Sequence, residues 1–280
     1  MEIHRVINNN IVVSEDPQGD EVILIGKGLA FGLKRGDSIQ DKQVEKRFYL
    51  EDKGLYAKFK KMLQEVSLEE IHIADDIISM ARRELKRDFN ESIYISLPDH
   101  IHAAIKRYND GIQLQNGLLW EIKRMYKEEF KIAEKAVAYI NDRFGVDLGE
   151  DEMGFIAFHF VSAELNSEMN AITKITRFMK EIMNLVTYHL QVCIDEHSMN
   201  GFRFMTHLKF FAHRVVNKEP PEMREDTVLY DIIREKYQKA FEVALKVKDY
   251  ISNQYNYEIS DIEVTYLTVH LQRFLERKTE

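Results

Sequence analysis

The sequence predicts a multidomain protein: a small all-β module of four antiparallel strands, followed by two homologous all-α helical bundles. Three observations predict it. Short β-branched runs separated by glycine and turn residues fill the first 50 residues, whereas a helical spacing of apolar residues begins near residue 66. The helical part then repeats itself once along the chain. At 280 residues, the chain is also longer than one ordinary core requires.

Turn-forming residues separate the predicted strands in the first 50 positions. Ile11–Val13 and Val22–Ile25 are β-branched runs that predict strands, and Val44–Leu50 predicts a last one. Between the first two, Asp16-Pro17-Gln18-Gly19 places Pro and Gly where a type I turn takes them. A sheet of about 50 residues has little core of its own and is marginal alone. We therefore expect a homodimer through this module.

Helical spacing of apolar residues dominates the rest of the chain. Residues between Ile71 and Leu85 recur at steps of three and four, and the stretches 119–140 and 229–251 each continue that spacing over about six turns. Pro98 is expected at a helix start, where its missing N–H costs nothing.

The helical part contains two copies of one unit. Tyr139, Glu152 and His159 match Tyr250, Glu263 and His270 at one constant offset, and His100 matches His207 at a slightly smaller one. Small differences in offset follow from loops of different length. We expect an N-terminal module at 1–55 and helical domains at 67–170 and 171–280. Residues 56–66, with Tyr56, Phe59 and Leu63 on one face, are expected to form an amphipathic connector.

Composition excludes several classes of protein. The net charge is −8, and residues 1–50 hold seven Lys and Arg against eight Asp and Glu, which argues against coating nucleic acid by bulk electrostatics. No apolar stretch approaches the roughly 18–20 residues that cross a bilayer. The single cysteine, Cys193, rules out an internal disulfide and fits a reducing cytosol. We expect a cytoplasmic protein without membrane insertion.

The common enzyme motifs are absent. Phe31 follows Gly26-Lys27-Gly28 where a dinucleotide-binding turn needs its third glycine, and no phosphate-binding G-x-x-x-x-G-K occurs. No two histidines have the i, i+4 spacing that a helical zinc pair would require. We therefore expect no enzyme: no catalytic residues, no metal site and no cofactor.

Four histidines occupy equivalent places in the repeat. His100 and His207 are expected near helix starts, and His159 and His270 lie in apolar helices. A lone histidine on an apolar face is ordinarily a satisfied core residue, but structural histidines have no reason to recur in pairs. Because imidazole is a nucleophile near neutral pH, phosphoryl acceptance is the functional alternative.

Two polar motifs stand out in the N-terminal module. Asn8-Asn9-Asn10 offers amides that donate to and accept from base edges, and Phe31 at the end of Gly26–Phe31 offers a ring for stacking on an unpaired base. The competing interpretation is that the asparagines form turns and that Phe31 fills the small core.

Together these motifs resemble the BglG/LicT/SacY family of transcriptional antiterminators. The resemblance rests on the string Val6–Asn10, then Gly26–Phe31, then two histidine-bearing helical repeats, and it covers the whole chain. Leu118–Glu121, Gly154–Ala157 and Thr206–Phe211 are most similar to the LicT-like, β-glucoside branch.

The resemblance implies a dimeric RNA-binding domain followed by two phosphotransferase-system regulation domains. Members of the family bind a leader-RNA hairpin and keep the overlapping terminator from forming, so that sugar-utilisation genes are transcribed. The implied partners are this leader mRNA, the phosphocarrier protein and a sugar-specific permease (enzyme II) of the phosphotransferase system, and a second copy of the chain. The implied RNA contacts are Arg5, Asn8, Asn10, Gly26, Lys27 and Phe31, and the implied phosphorylation sites are His100, His159, His207 and His270.

Two other functions stay open at this point. A DNA-binding activator could carry the same regulation domains, but it needs a helix-turn-helix segment where residues 1–50 predict strands. A phosphotransfer relay would use the histidines as intermediates, in a chain without a nucleotide-binding motif.

Overall fold

The structure, a computed structural model, describes residues 1–16, 18–49, 58–59, 61–192, 194–195, 198–220 and 227–276. Pro17, Leu50, Tyr56 and Cys193, on which sequence expectations fall, lie outside the described residues. The chain divides into two compact units. The first comprises Met1–Asn116 with Glu128–Asn166, and the second comprises Gly117–Lys127 with Ser167–Glu280.

A four-stranded antiparallel sheet opens the first unit. Its strands are β1 (Ile3–Asn8), β2 (Ile11–Glu15), β3 (Glu21–Ile25) and β4 (Lys46–Tyr49), and neighbours in sequence are neighbours in the sheet. At the turn between β2 and β3, the Gly19 N–H donates to the Asp16 carbonyl at 3.1 Å. In the central pair, Val12 lies opposite Leu24 and Val13 opposite Ile23. The predicted fold class of this module is confirmed.

Both faces of the sheet are covered, because alternate residues of a strand point to opposite sides. One face packs on the segment after the sheet, in a cluster of Ile11, Val13, Ile23, Ile25, Phe59, Met62, Leu63, Val66 and Ile71. The other face packs on the long loop before β4, in a cluster of Ile3, Val12, Val22, Leu24, Leu29, Ala30 and Ile39. Phe59 and Leu63, which share one face of the expected connector, are both buried in the cluster that contains Ile11. Burial of each such side chain stabilises the fold by roughly 1.5–3 kcal/mol.

Helices make up most of the remaining described chain. The first repeat contains α1 (Leu68–Leu85), α2 (Ile93–Asn109), α3 (Leu119–Met125), α4 (Lys127–Phe144) and α5 (Glu150–Glu164). The second contains α6 (Met169–Leu190), α7 (Met199–Asn217), α8 (Thr227–Lys236), α9 (Gln238–Tyr255) and α10 (Asp261–Glu276). Helix α3 groups with the second unit, where Lys180 of α6 forms an ion pair with the buried Glu121 carboxylate.

The stretch from Ile71 to Leu85 forms one unbroken helix as predicted, but the two longer predicted helices are each broken at a tyrosine, so the prediction that they are uninterrupted was wrong. The stretch 119–140 divides at Tyr126 (φ −123°, ψ 50°), and the stretch 229–251 divides at Tyr237 (φ −122°, ψ 48°). The apolar spacing runs through both breaks, so periodicity alone does not reveal them. Tyr126 is buried, and its hydroxyl forms a 3.0 Å hydrogen bond with Thr176.

Pro98 lies inside α2 rather than at its start, and this expectation was also wrong. The helix begins at Ile93 because an asparagine turn precedes it: Asn90 Oδ1 accepts the Ser92 N–H at 2.9 Å. As a consequence His100 lies in the middle of α2, and His207 likewise lies in the middle of α7, not near the helix starts. Both histidines therefore face a neighbouring helix rather than a terminus.

Candidate RNA-binding surface and paired histidine sites

Asn8 and Asn10 shape the tip of the first hairpin. Asn8 Oδ1 accepts the Asn10 N–H at 2.9 Å, and Asn8 Nδ2 donates to the Leu63 carbonyl at 3.0 Å. Asn10 Oδ1 accepts the Gly28 N–H at 2.8 Å, which fastens the loop after β3 to the hairpin. The side-chain oxygens of Asn8 and Asn10 are therefore used inside the domain, as the turn-forming interpretation predicts. Among the described residues, Asn10 Nδ2 has no hydrogen-bond partner and is available to a ligand.

Gly26 begins the second loop, where no side chain fits. A Cβ atom at this position would lie 2.2 Å from the carbonyl oxygen of Gln43, closer than real contacts allow. The Gly26 N–H also donates to the Asn10 carbonyl at 2.9 Å. Gly26 therefore brings the two loops together instead of presenting a group to a ligand.

Arg5, Lys27 and Phe31 present their side chains to solvent. Phe31 is 77% exposed, which contradicts the interpretation that it fills the core. An isolated exposed ring beside cationic and amide groups is the arrangement that stacks on an unpaired base. The structure brings Phe31 and Lys27 onto one loop beside Asn10, whereas Arg5 lies earlier on the edge strand β1.

The same loop is connected to the first helical domain through Glu45. Glu45 Oε1 accepts the Lys27 N–H at 3.1 Å, and Glu45 Oε2 lies 3.1 Å from His72 Nε2 on α1. A groove with a volume of about 650 Å³ lies beside Asn10 and Lys27 and is continued by residues of α1 and α4. The candidate RNA-binding loop is therefore linked to the first helical domain through Glu45.

Two histidines face each other in the first unit. The ring centroids of His100 on α2 and His159 on α5 are 4.9 Å apart. His159 is buried, and its Nδ1 atom lies 3.2 Å from the Ser96 hydroxyl oxygen. The structure therefore joins two residues that are distant in the sequence into one site.

A buried ion pair completes this first cluster. Glu152 Oε2 lies 2.9 Å from His100 Nε2, at ion-pair distance but without the geometry of a hydrogen bond. Arg107 donates to Glu152 Oε1 at 2.8 Å. Burial acts to raise the pKa of Glu152, but His100 and Arg107 outweigh it, and the pKa is lowered from its usual value. Glu152 is therefore an anion that is held against the imidazole.

The second unit repeats the arrangement. The rings of His207 on α7 and His270 on α10 stack with centroids 5.1 Å apart. Glu263 Oε2 lies 3.2 Å from His207 Nε2, and Arg214 donates to Glu263 Oε1. Burial acts to raise the pKa of Glu263, but His207 and Arg214 outweigh it, and the pKa is lowered. We call the two sites the first cluster (His100, His159, Glu152, Arg107) and the second cluster (His207, His270, Glu263, Arg214).

One histidine of each cluster is kept neutral. Burial, and then the neighbouring His100, lowers the pKa of His159 well below its usual value. Burial, then His207, Arg273 and Arg203, lowers the pKa of His270 to about 4. Both rings are therefore uncharged at neutral pH, and a neutral imidazole has the lone pair that nucleophilic attack on phosphorus requires.

The chain matches two domain families along most of its length. The CAT RNA binding domain covers residues 1–56, and the PRD domain covers residues 75–163 and 180–274. The sequence is 43% identical over 277 residues to the transcription antiterminator LicT of Bacillus subtilis (strain 168), a match that covers 99% of this chain and 100% of that protein. The chain belongs to the CAT–PRD transcription antiterminators. Antitermination is therefore its function, and residues 1–56 are its RNA-binding domain.

Other relatives agree with this family. The antiterminator is 41% identical over 273 residues to the beta-glucoside operon antiterminator of Dickeya chrysanthemi, a match that covers 98% of this chain and 96% of the relative. The crystal structure of GlcT CAT-PRDI matches 58% of this chain and 97% of its own, with 39% identity and a TM-score of 0.50. The structure of LicT with its RNA target matches 19% of this chain and 98% of its own, with 42% identity and a TM-score of 0.19.

The DNA-binding alternative is wrong. The RNA-binding domain is a sheet of four strands, and no helix-turn-helix occurs among the described residues between 1 and 49. Within the described ranges, no helix is both long and apolar enough to span a bilayer. The described part of the antiterminator also contains no group of three or more His, Cys, Asp or Glu residues suited to a metal ion.

Sequence reasoning missed the arginine of each cluster and the role of each glutamate. Arg107 and Arg214 are separated by the same offset that separates His100 from His207. Glu152 and Glu263 do match in the sequence repeat, but their pairing with a histidine on another helix is visible only in the structure. The missed signal was the recurrence of His-x6-Arg in the two repeats.

Proposed function

We propose that this antiterminator binds a leader-RNA hairpin as a homodimer in the cytoplasm, and that histidine phosphorylation by the phosphotransferase system controls it. The observation that carries the proposal is the presence of two equivalent His–His–Glu–Arg clusters in a chain with a CAT RNA-binding domain. The genes it controls serve the use of a sugar, for which similarity to LicT and to a beta-glucoside operon antiterminator supports a β-glucoside. The domain limits 1–55, 56–66, 67–170 and 171–280 belong to the same proposal.

Six residues form the proposed RNA-binding surface, in two roles. Asn8 and Gly26 shape the two loops, since their polar groups or their lack of a side chain are used inside the domain. Arg5, Lys27, Phe31 and the Asn10 amide group contact the RNA: Arg5 and Lys27 pair with phosphates, Phe31 stacks on a base, and Asn10 reads a base edge. Stacking and amide contacts need few lysines, and a dimer doubles them, so an acidic chain can bind RNA at this surface.

The proposed phosphorylation sites are His100, His159, His207 and His270. The donors are the phosphocarrier protein, with phosphoenolpyruvate as the ultimate source, and the sugar-specific permease. A phosphoryl group adds about 1.5–2 negative charges at pH 7. In each cluster this charge arrives beside a buried glutamate, so the present packing is kept only where cations pair with the phosphoryl group. This conflict converts a chemical modification into a change of structure.

RNA binding is tested with the full-length protein. RNA selected from a transcript pool by the antiterminator should contain a hairpin that overlaps a terminator. Phe31→Ala should weaken binding to that hairpin by about 1–3 kcal/mol, because stacking on a base contributes that much. Tyr49→Ala is the matched control, since Tyr49 is a 50% exposed ring on β4 outside the proposed surface. Equal effects of the two substitutions would show that the ring of Phe31 does not read the RNA.

Phosphorylation is tested by intact-mass analysis after incubation with phosphoenolpyruvate and the phosphotransfer proteins. The measurement is made at neutral or alkaline pH, because phosphate on nitrogen is labile in acid. Mass should be added to the wild-type chain and not to a variant with Ala at His100, His159, His207 and His270. Unchanged labelling of that variant would show that other residues accept the phosphoryl group.

A further inference from the structure

The two clusters differ at two matched positions. Arg203 of α7 stands where α2 has Ser96, at the same offset that relates His207 to His100. Arg273 of α10 stands where α5 has Ser162, at the same offset that relates His270 to His159. The second cluster therefore has two additional cations.

Helix geometry places both arginines on the side of the histidines. Arg203 precedes His207 by four residues on α7, and Arg273 follows His270 by three on α10, spacings that put side chains on one face. In the first cluster, the residue that matches Arg203 lies close to the histidine on the other helix: the Ser96 hydroxyl oxygen is 3.2 Å from His159 Nδ1. A side chain at this position can therefore reach the histidine across the helix interface. Arg203 is exposed and Arg273 is half-buried, so neither guanidinium is locked in the core.

The charge balance of the two clusters differs as a result. In the first, Arg107 is paired with Glu152, and the two charges cancel. In the second, Arg214 is paired with Glu263 in the same way, and Arg203 and Arg273 add two positive charges. Their field already acts at the ring: after burial and His207, these two arginines are the further causes that lower the pKa of His270 to about 4.

We infer that Arg203 and Arg273 bind the phosphoryl group of the phosphorylated second cluster, whereas the first cluster has serines at the two matched positions. This inference rests on the histidine phosphorylation proposed above. Guanidinium groups donate two parallel hydrogen bonds to phosphate oxygens, and such charge-assisted bonds are the strong ones. Arg214 stays with Glu263, and Arg203 and Arg273 are the arginines that we assign to the phosphate.

This difference assigns opposite tendencies to the two domains. In the second cluster the phosphoryl group is paired where it forms, so the helices can close around it. In the first cluster the phosphoryl group meets Glu152 without these added cations, so α2 and α5 must separate to hydrate it. A phosphoryl group thus stabilises one domain and opens the other.

The test uses the full-length protein and phosphoramidate, a small donor that phosphorylates histidine without any carrier protein. The phosphorus–nitrogen bond of phosphoramidate breaks, ammonia leaves, and a bond forms between phosphorus and an imidazole nitrogen. Peptide mapping identifies the phosphorylated histidines, and His→Ala variants assign each ³¹P NMR resonance to one of them. The chemical shift of each resonance is then followed as a function of pH. The second pKa of a phosphate on a side-chain hydroxyl is about 6, and here the phosphates of the two clusters are compared with each other.

We expect the phosphate in the second cluster to titrate about 1 pH unit below the phosphate in the first, because adjacent arginines favour the dianion. Replacing both arginines by the residues of the first cluster, R203S with R273S, should remove this difference. The matched control, R203K with R273K, keeps the charges and should keep most of it. Conversely, S96R with S162R should lower the pKa of the phosphate in the first cluster.

The inference is overturned if the two phosphates titrate alike in the wild-type protein, or if the double serine variant leaves the difference intact. It is also overturned if His207 and His270 acquire no phosphate from phosphoramidate. The phosphate of the first cluster is an internal control for folding, since R203S and R273S should not move its resonance. Labelling by phosphoramidate without labelling by the phosphocarrier protein would contradict the proposed donor and leave the roles of Arg203 and Arg273 standing.

Discussion

Asn10 shows how a single side chain serves both the fold and the ligand. Its Oδ1 atom accepts the Gly28 N–H at 2.8 Å, while its Nδ2 atom is the group we assign to RNA. Asn10→Ala should weaken hairpin binding by about 1–3 kcal/mol and also lower the free energy of unfolding by about 1 kcal/mol, because it removes both groups. Asn10→Asp keeps the acceptor, so it should lose RNA affinity with little loss of stability.

The two Asn10 variants are compared by equilibrium RNA binding and by urea unfolding. Their difference in stability isolates the Asn10–Gly28 hydrogen bond, and their shared loss of affinity isolates the amide nitrogen. RNA binding by Asn10→Asp at wild-type affinity would remove Asn10 from the proposed contact surface.

His270 should make the stability of the protein depend on pH. Its folded-state pKa is lowered to about 4, below the usual 6.5, so between these values the unfolded chain binds more protons than the folded one. Stability is therefore lost as the pH falls from about 6.5 to about 4 and does not change further below that on account of His270. The loss is on the order of 2 kcal/mol, after allowance for solvent at the half-buried ring.

This pH dependence is measured as the free energy of unfolding at several pH values. His270→Gln removes the titrating group and should flatten the profile over this acidic range relative to the wild type. His189→Gln is the control, because His189 lies at the end of α6 beside Lys246 and outside both clusters. Profiles of equal slope in the wild type and in His270→Gln would contradict the burial of a neutral ring at this position.

At the level of elements, the start of α1 depends on a capping box. The Glu70 N–H donates to Ser67 Oγ at 3.2 Å, and the Ser67 N–H donates to Glu70 Oε2 at 2.6 Å. Ser67→Ala should therefore lower the free energy of unfolding by about 1 kcal/mol. Ser92, the residue before α2, is the matched control because its side chain makes no capping hydrogen bond.

Chemical denaturation of Ser67→Ala and Ser92→Ala compares the two helix starts directly. We expect a clear loss for the first and a change within about 0.5 kcal/mol for the second. Equal losses would mean that the serine hydroxyl contributes through something other than the cap. Since α1 also carries His72 and Asp75, which pair with Glu45 and Lys46, this helix start positions the contacts that reach the RNA-binding domain.

At the level of the whole molecule, phosphorylation of the two domains should act in opposite senses. The family resemblance suggests that phosphate in the second domain favours RNA binding and that phosphate in the first opposes it, and the different charges of the clusters supply a physical reason. His207→Asp with His270→Asp should give antitermination without the phosphocarrier protein. His100→Asp should reduce antitermination even when the sugar is present.

These variants are compared with a reporter gene placed behind the leader terminator. Aspartate has one charge and is shorter than phosphohistidine, so the direction of each effect matters more than its size. The isosteric control is Asn at the same positions, which adds no charge. Effects of the same sign from the two domains would overturn the prediction that the domains act in opposite senses. The assignment of RNA binding to the N-terminal domain would still stand.

The sequence by itself determined the order of domains, the fold class of each and the residues that recur. Runs of β-branched residues predicted strands in the N-terminal module, and recurrence singled out His100, His159, His207 and His270, because local pattern and repetition are properties of sequence alone. Tertiary structure decided what these residues touch. The pairing of Glu152 with His100, the use of Asn10 Oδ1 inside the domain and the hydrogen bond of Tyr126 with Thr176 at one helix break all depend on contacts between distant segments. Such contacts arise only when helices pack, and local spacing contains no information about which residue a side chain meets across the interface.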